Sequence, residues 1–106
     1  MIEMTAVQLH QHLAESDLKP LLLDVREQWE FDLCHIEESI LIPMSEIVHK
    51  YDELDTQQET VIICHHGIRS RQIGLFLEAQ KFSRIINLSG GVAAWAESVD
   101  PGMPRY

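Results

Sequence analysis

The residues with the most chemistry in them stand together: Cys64-His65-His66-Gly67-Ile68-Arg69-Ser70-Arg71, directly after the apolar run Thr60-Val61-Ile62-Ile63. A thiol can be a packing residue, a metal ligand, a redox partner or a nucleophile, and its neighbours discriminate among these. Successive backbone N–H groups from His65 to Ser70 can curl around the sulfur as an anion-binding nest. A helix starting within a few residues adds unpaired N–H groups and the positive end of its dipole. Gly67 supplies a residue without Cβ where the loop must turn sharply. Arg69 can bring a permanent positive charge to the same pocket. Each feature favours the thiolate, the reactive form of cysteine. A cysteine ending an apolar strand is otherwise most often a small core residue. Here the glycine, the arginine and the helix start point instead to a nucleophile, Cys64. Its binding loop comprises His65, His66, Gly67, Ile68, Arg69 and Ser70.

Other groupings have plainer readings. His65 and His66 either tune Cys64 as imidazolium or lie on an exposed loop rim, and both readings stay open. Cys34-His35 and Cys64-His65-His66 lack the C-x2-C spacing of a zinc site, so no metal is expected. A Cys34–Cys64 disulfide requires a close Cα approach and would be a redox event, not a staple. Asp24, Arg26 and Glu27 beside an apolar strand are explained by helix capping and an internal ion pair. Trp29 and Trp95 read as core residues. His10 and His12 fall on or near a helix surface and carry no assigned role.

The elements that must position the loop are visible in the pattern. Thr5 and Gln8 form a capping box with Met4 and Leu9 as hydrophobic staple, opening a helix that fades near Glu15-Ser16-Asp17. Leu21-Leu22-Leu23 and Ile40-Leu41-Ile42 are short buried strands. Asp24-Val25-Arg26-Glu27 resembles a second capping box, leading into a short helix with Trp29 and Phe31. Ser45 is the expected cap of a helix carrying Ile47 and Val48. A polar connector over residues 52–59 precedes Thr60-Val61-Ile62-Ile63-Cys64, a β-branched strand without alternation and so covered on both faces. Ile73, Phe76 and Leu77 mark a helix, and Arg84-Ile85-Ile86-Asn87-Leu88 a strand. Ser89-Gly90-Gly91 turns into a helix with Val92, Trp95 and Ala96. Pro101 and Pro104 suggest a frayed tail. Strands alternating with helices predict an α/β fold, a mostly parallel central sheet with helices on both faces.

Bulk properties are consistent with this. A chain of 106 residues has room for one core and is expected to form a single domain over 1–106. No apolar run reaches the roughly 18 residues of a membrane span, and the start lacks a signal-peptide pattern. The expectation is a cytoplasmic protein without membrane contact. The net charge of −9 is uneven: residues 1–58 hold thirteen acids and three bases, residues 59–106 four acids and five bases. Such an acidic chain repels nucleic acid, yet its one locally basic stretch begins at Cys64.

Taken together, these residues resemble the single-domain rhodanese-like sulfurtransferases. Leu22-Leu23-Asp24-Val25-Arg26-Glu27 with Trp29-Glu30-Phe31 is similar to the family's first signature. His35-Ile36 through Ile42-Pro43 is similar to the second, usually written G-H-I-x-G-A-x-N-I-P. The segment from Val61 through Cys64, Gly67 and Arg69-Ser70 resembles the active-site loop, and Leu88-Ser89-Gly90-Gly91 with Trp95 the closing L-x-G-G-x-x-x-W. Two positions depart: the glycine before His35 is Cys34, and the Gly-Ala pair is Glu38-Ser39, which puts that turn's geometry in question.

The resemblance implies that Cys64 takes a sulfane sulfur from thiosulfate or a related persulfide donor, then yields it to a thiophilic acceptor. Loop N–H groups would stabilise the sulfur anion, and Arg69 would attract a small anionic donor. Arg71, on the helix surface, would matter much less. No cofactor is implied. The resemblance also admits a protein-binding or sulfur-carrier module that delivers sulfur to a partner protein. A cysteine-dependent phosphatase or arsenate reductase is the more distant alternative. Those enzymes use a C-x5-R loop, whereas only His65, His66, Gly67 and Ile68 separate Cys64 from Arg69. That smaller cradle suits one sulfur atom better than a tetrahedral oxyanion.

Overall fold

A computed structural model describes all 106 residues. Five strands form one parallel sheet: β1 (Ile2–Met4), β2 (Leu21–Asp24), β3 (Ile40–Leu41), β4 (Thr60–Ile63) and β5 (Ile85–Leu88). Their spatial order is β1-β5-β4-β2-β3. The strands β4 and β5 are buried along their whole length, in keeping with their mainly apolar sequences. Five helices cover the sheet: α1 (Ala6–Glu15), α2 (Gln28–Leu33), α3 (Met44–Lys50), α4 (Ile68–Ala79) and α5 (Gly91–Ser98).

Alternation along the strands divides the core in two. Leu22, Val61, Ile63, Ile86 and Leu88 pack with Leu9 of α1 and Val92 and Trp95 of α5. Leu23, Ile62 and Ile85 pack with Ile47 of α3 and Ile73 and Leu77 of α4. Cys64 belongs to this second cluster and Cys34 to the first. The two thiols are therefore free, and the sheet lies between them.

The capping box of Thr5 and Gln8 forms as the sequence suggests. Other local expectations need correction. Met4 precedes that cap but also ends β1, which pairs with β5; three residues carry too short a pattern to register as a strand. The second capping box is formed by Glu27 and Glu30, because Asp24 still belongs to β2 and is held by Arg26. Pro43, not Ser45, stands at the start of α3; its fixed φ suits a helix entry. Trp29 is 62% exposed, unlike Trp95 at 7%. The tail is not frayed: Met103 is buried and Tyr106 reaches back to α2.

Glu38 stands at φ 71°, in the left-handed region, at the position where the family's pattern has glycine. The loss of glycine there is accommodated as strain. At Cys34, by contrast, φ is −164°, ordinary extended backbone, so no glycine is needed.

Candidate active site

Cys64 follows the carboxyl end of β4, where parallel α/β sheets place their ligands. Its sulfur accepts hydrogen bonds from the backbone N–H of Gly67 (3.1 Å) and Ser70 (3.3 Å). Those groups face inward because the loop's carbonyls are held from outside. The first N–H groups of α5 take them: Val92 donates to the Cys64 oxygen (2.9 Å) and Ala93 to that of His65 (3.0 Å). Gly91 allows this close approach, since a Cβ there would collide with the carbonyl oxygens of Cys64 and His65. Gly67 has φ 97° at the start of α4, and a Cβ on it would press on the backbone of Leu88 and Gly90. The Cys64 loop and the Gly90-Gly91 turn thus shape the pocket floor together.

The thiol also meets a side-chain relay. Cys64 Sγ donates to Ser70 Oγ (3.2 Å), and Ser70 donates to Asn87 Oδ1 (2.5 Å). Asn87 is oriented by giving its own hydrogens to Glu3 Oε1 (2.8 Å) and the Gly67 carbonyl (3.2 Å). All three residues of the relay, Cys64, Ser70 and Asn87, are buried. When the thiol ionises, Ser70 can rotate its hydrogen toward sulfur, so the hydroxyl serves either protonation state.

Arg69 is not a free cation. It makes a two-pronged ion pair with Glu30 of α2, at 2.8 and 2.9 Å. The Glu30 carboxylate is buried, while Arg69 is 35% exposed. The hydrogen bonds from Arg69, outweighing burial, hold the Glu30 carboxyl well below its usual range, at about 2. Reciprocally, the bond to Glu30, then the charges of Glu30, Cys64 and Tyr106, raise Arg69 further above its ordinary value against the opposing effect of burial. Tyr106 donates to Glu30 Oε1 (2.9 Å) and accepts from Arg26 (2.9 Å). Burial pushes its phenol up to about 12.

Arg26 itself is fully buried and organises α2. It grips the Asp24 carboxylate and donates to the carbonyls of Glu30 (3.3 Å) and Cys34 (2.7 Å). Asp24 and Arg26 therefore form the internal ion pair expected from the sequence, and its effect is to present Glu30 to Arg69.

His65 lies between two rings, stacked on His66 (4.0 Å between centroids) and on Tyr106 (3.9 Å). Burial first, and then the neighbouring His66, lower its pKa, which favours neutral imidazole over imidazolium. His66 and Ile68 are exposed on the loop rim. Arg71 is 61% exposed and approaches Glu3 (3.4 Å).

Three site residues escaped the sequence reading: Glu30, Asn87 and Tyr106. Glu30 had a signal, a carboxylate three residues after Glu27 on the same short helix. Asn87 is a polar residue inside an otherwise apolar strand, which is itself a hint of a buried partner. Tyr106 lies 76 residues from Glu30, and no local pattern links them. The largest surface groove, about 690 Å3, lies at the amino ends of the strands around His12, Asp17, Asp55, Glu59 and Arg84. It lies at the other end of the sheet from the Cys64 loop.

Comparison with known proteins bears on the fold and the family. The family model described as Rhodanese-like domain matches residues 5–98. A sulfurtransferase of Allochromatium vinosum is 34% identical over 94 residues, covering 89% of this chain and 87% of its own. The adenylyltransferase and sulfurtransferase uba4 of Ogataea parapolymorpha is 33% identical over 89 residues, covering 82% of this chain and 23% of its own. The chain thus spans less than half of some curated relatives, 44% of one from Bacillus subtilis. The crystal structure of a rhodanese-related protein from Thermoplasma volcanium superposes with a TM-score of 0.82 at 31% identity, over 98% of this chain and 96% of that one.

Proposed function

Because this chain belongs to the rhodanese-like domain family, whose relatives include sulfurtransferases, we propose that Cys64 carries the transferred sulfur. The donor is thiosulfate or a related persulfide, and the acceptor is thiophilic. The Cys64 thiolate attacks the donor's sulfane sulfur; a new S–S bond forms, and the donor's S–S bond breaks with its electron pair leaving on sulfite or thiolate. In the second step an acceptor nucleophile takes the outer sulfur, and the electron pair of the Cys64 S–S bond returns to the thiolate.

The observation that carries this reading is the convergence of the Gly67 and Ser70 N–H groups on Sγ. They hold negative charge on Sγ in the attacking thiolate and in the thiolate that the second step regenerates, as an oxyanion hole holds charge on oxygen. His65, His66, Ile68 and Arg69 frame the mouth of that loop. A protein acceptor is a second reading for the same chemistry. It is supported by the relative in which sulfurtransferase and adenylyltransferase share one chain. We place the reaction in the cytoplasm, where a reducing environment keeps a thiol such as Cys64 available for loading.

Steady-state thiocyanate formation, with donor and cyanide both varied, tests the reading. Parallel double-reciprocal lines are expected, since a loaded enzyme separates the two half-reactions. Intersecting lines would mean that both substrates must be bound together, without a persulfide on the protein.

A further inference from the structure

The three arginines nearest the thiol are each matched by a carboxylate: Arg26 by Asp24, Arg69 by Glu30 and Arg71 by Glu3. Arg105, farther out beside His65 and His66, donates to the Ala96 carbonyl. His65 is held toward its neutral form by burial. Close to the sulfur the loop therefore offers hydrogen-bond donors with their neighbouring cations already paired, in a chain of net charge −9. Its thiolate has to meet donors that are themselves anions.

From this we propose that Glu30 is a specificity-determining residue. By neutralising Arg69, it suits the site to sulfane donors carrying at most one negative charge, such as alkyl persulfides and thiosulfonates, over dianionic thiosulfate. The inference rests on the sulfur-transfer reading above and refines its donor class.

The two donor types differ in charge while the bond change is the same. With thiosulfate, the thiolate and the dianion bring three negative charges together; the S–S bond breaks and sulfite leaves with the electron pair, giving the Cys64 persulfide anion. With methanethiosulfonate, a near-isostere in which a methyl group replaces one oxygen, only two charges meet. Methanesulfinate then leaves with the pair, and the same persulfide forms. A neutral alkyl persulfide, R–S–SH, passes its outer sulfur with its hydrogen and releases R–S⁻. At close range an extra unpaired negative charge is repelled strongly, because the pocket is shielded from water. A free Arg69 would offset that repulsion; an Arg69 whose charge is already balanced by two hydrogen bonds to Glu30 offsets it far less.

The alternative role for the Glu30–Arg69 pair is structural support of the loop alone. It predicts that loosening the pair harms all donors alike. The charge role predicts a change that depends on the donor.

The test is the rate of sulfur loading on Cys64, followed by intact mass, with thiosulfate and methanethiosulfonate on the wild-type chain and on Glu30→Gln. Comparing the donor ratio between the two proteins cancels the intrinsic reactivity of the donors. Glu30→Gln should shift that ratio about ten-fold or more toward thiosulfate, the effect of one charge-assisted hydrogen bond released to the donor. An unchanged ratio, with both donors still loading, overturns the inference and leaves sulfur transfer intact. Absence of loading from both donors on the wild type overturns the sulfur-transfer reading itself, and this refinement with it.

A measurement on the wild type alone guards against a variant that does not fold. Raising ionic strength should speed thiosulfate loading, because screening weakens a net repulsion. A fall in rate with added salt would reveal a net attractive pocket and overturn the proposal.

Discussion

At the scale of single residues, Arg69 changes its meaning between sequence and structure. Four intervening residues place it near the thiol, and from spacing alone its charge is available to an anionic donor. The contact that occupies it comes from Glu30, on a different helix, and one-dimensional spacing carries no information about such a partner. Removing Arg69 therefore exposes two effects at once. Arg69→Ala should destabilise the fold by about 1–3 kcal/mol, less than a fully buried pair because the arginine reaches solvent. Arg71→Ala, whose partner Glu3 is itself half exposed, should leave stability nearly unchanged. Urea titrations of both variants check this, and equal effects would mean that Glu30 does not depend on Arg69. Cys64, Gly67 and the Ser70 N–H were legible because their roles are local: a sulfur, a turn and a backbone donor within one loop. Asn87 and Tyr106 were not, since they reach that loop from elsewhere in the chain.

At the scale of elements, β2 to β5 and the helices α1 and α4 follow from hydrophobic pattern, helped at α1 by its capping box, whereas the places that failed are governed by tertiary contact. Residues 2–4 become a strand only because β5 offers an edge, and Trp29 is drawn outward to an edge-on contact with Tyr106. Turn chemistry offers a direct test. Glu38 holds a left-handed backbone at φ 71° with only an exposed pair to Lys19 in return. Glu38→Gly should stabilise the protein by about 0.5–1 kcal/mol, the steric relief less the added freedom of the unfolded chain. Thermal melting would register this as a higher midpoint, and a lower one would show that the side chain contributes more than its strain. Gly91 is the opposite case. Gly91→Ala would drive a methyl group into the Cys64 and His65 carbonyls and lift the loop off α5. Sulfur loading should fall at least ten-fold, together with stability. Near-normal loading would mean that α5 does not set the direction of the loop's N–H groups.

At the scale of the whole molecule, an acidic first half and a balanced second half meet across the site. Glu30 and Glu3 from the first half neutralise Arg69 and Arg71 from the second. The charge asymmetry visible in the sequence is thus partly an internal arrangement, which composition alone could not reveal. It has a pH signature. Glu30 titrates at about 2 when folded and at 4.5 ordinarily. A depressed carboxyl stabilises the native state fully above the ordinary value and loses that contribution as pH falls between the two. Wild-type stability should therefore drop more steeply than that of Glu30→Gln from pH 4.5 toward 2, in urea midpoints taken across that range. Parallel slopes would disconnect Glu30 from acid stability. The central claim, that Cys64 is the sulfur carrier, rests on the meeting of a β4 end, an α4 start and an α5 anchor. Intact-mass and peptide analysis after exposure to a sulfane donor tests it most directly. One added sulfur atom on Cys64, removed by cyanide, absent in Cys64→Ser and retained in Cys34→Ser, is the result expected. Sulfur found on Cys34, or loading that survives Cys64→Ser, would contradict the account.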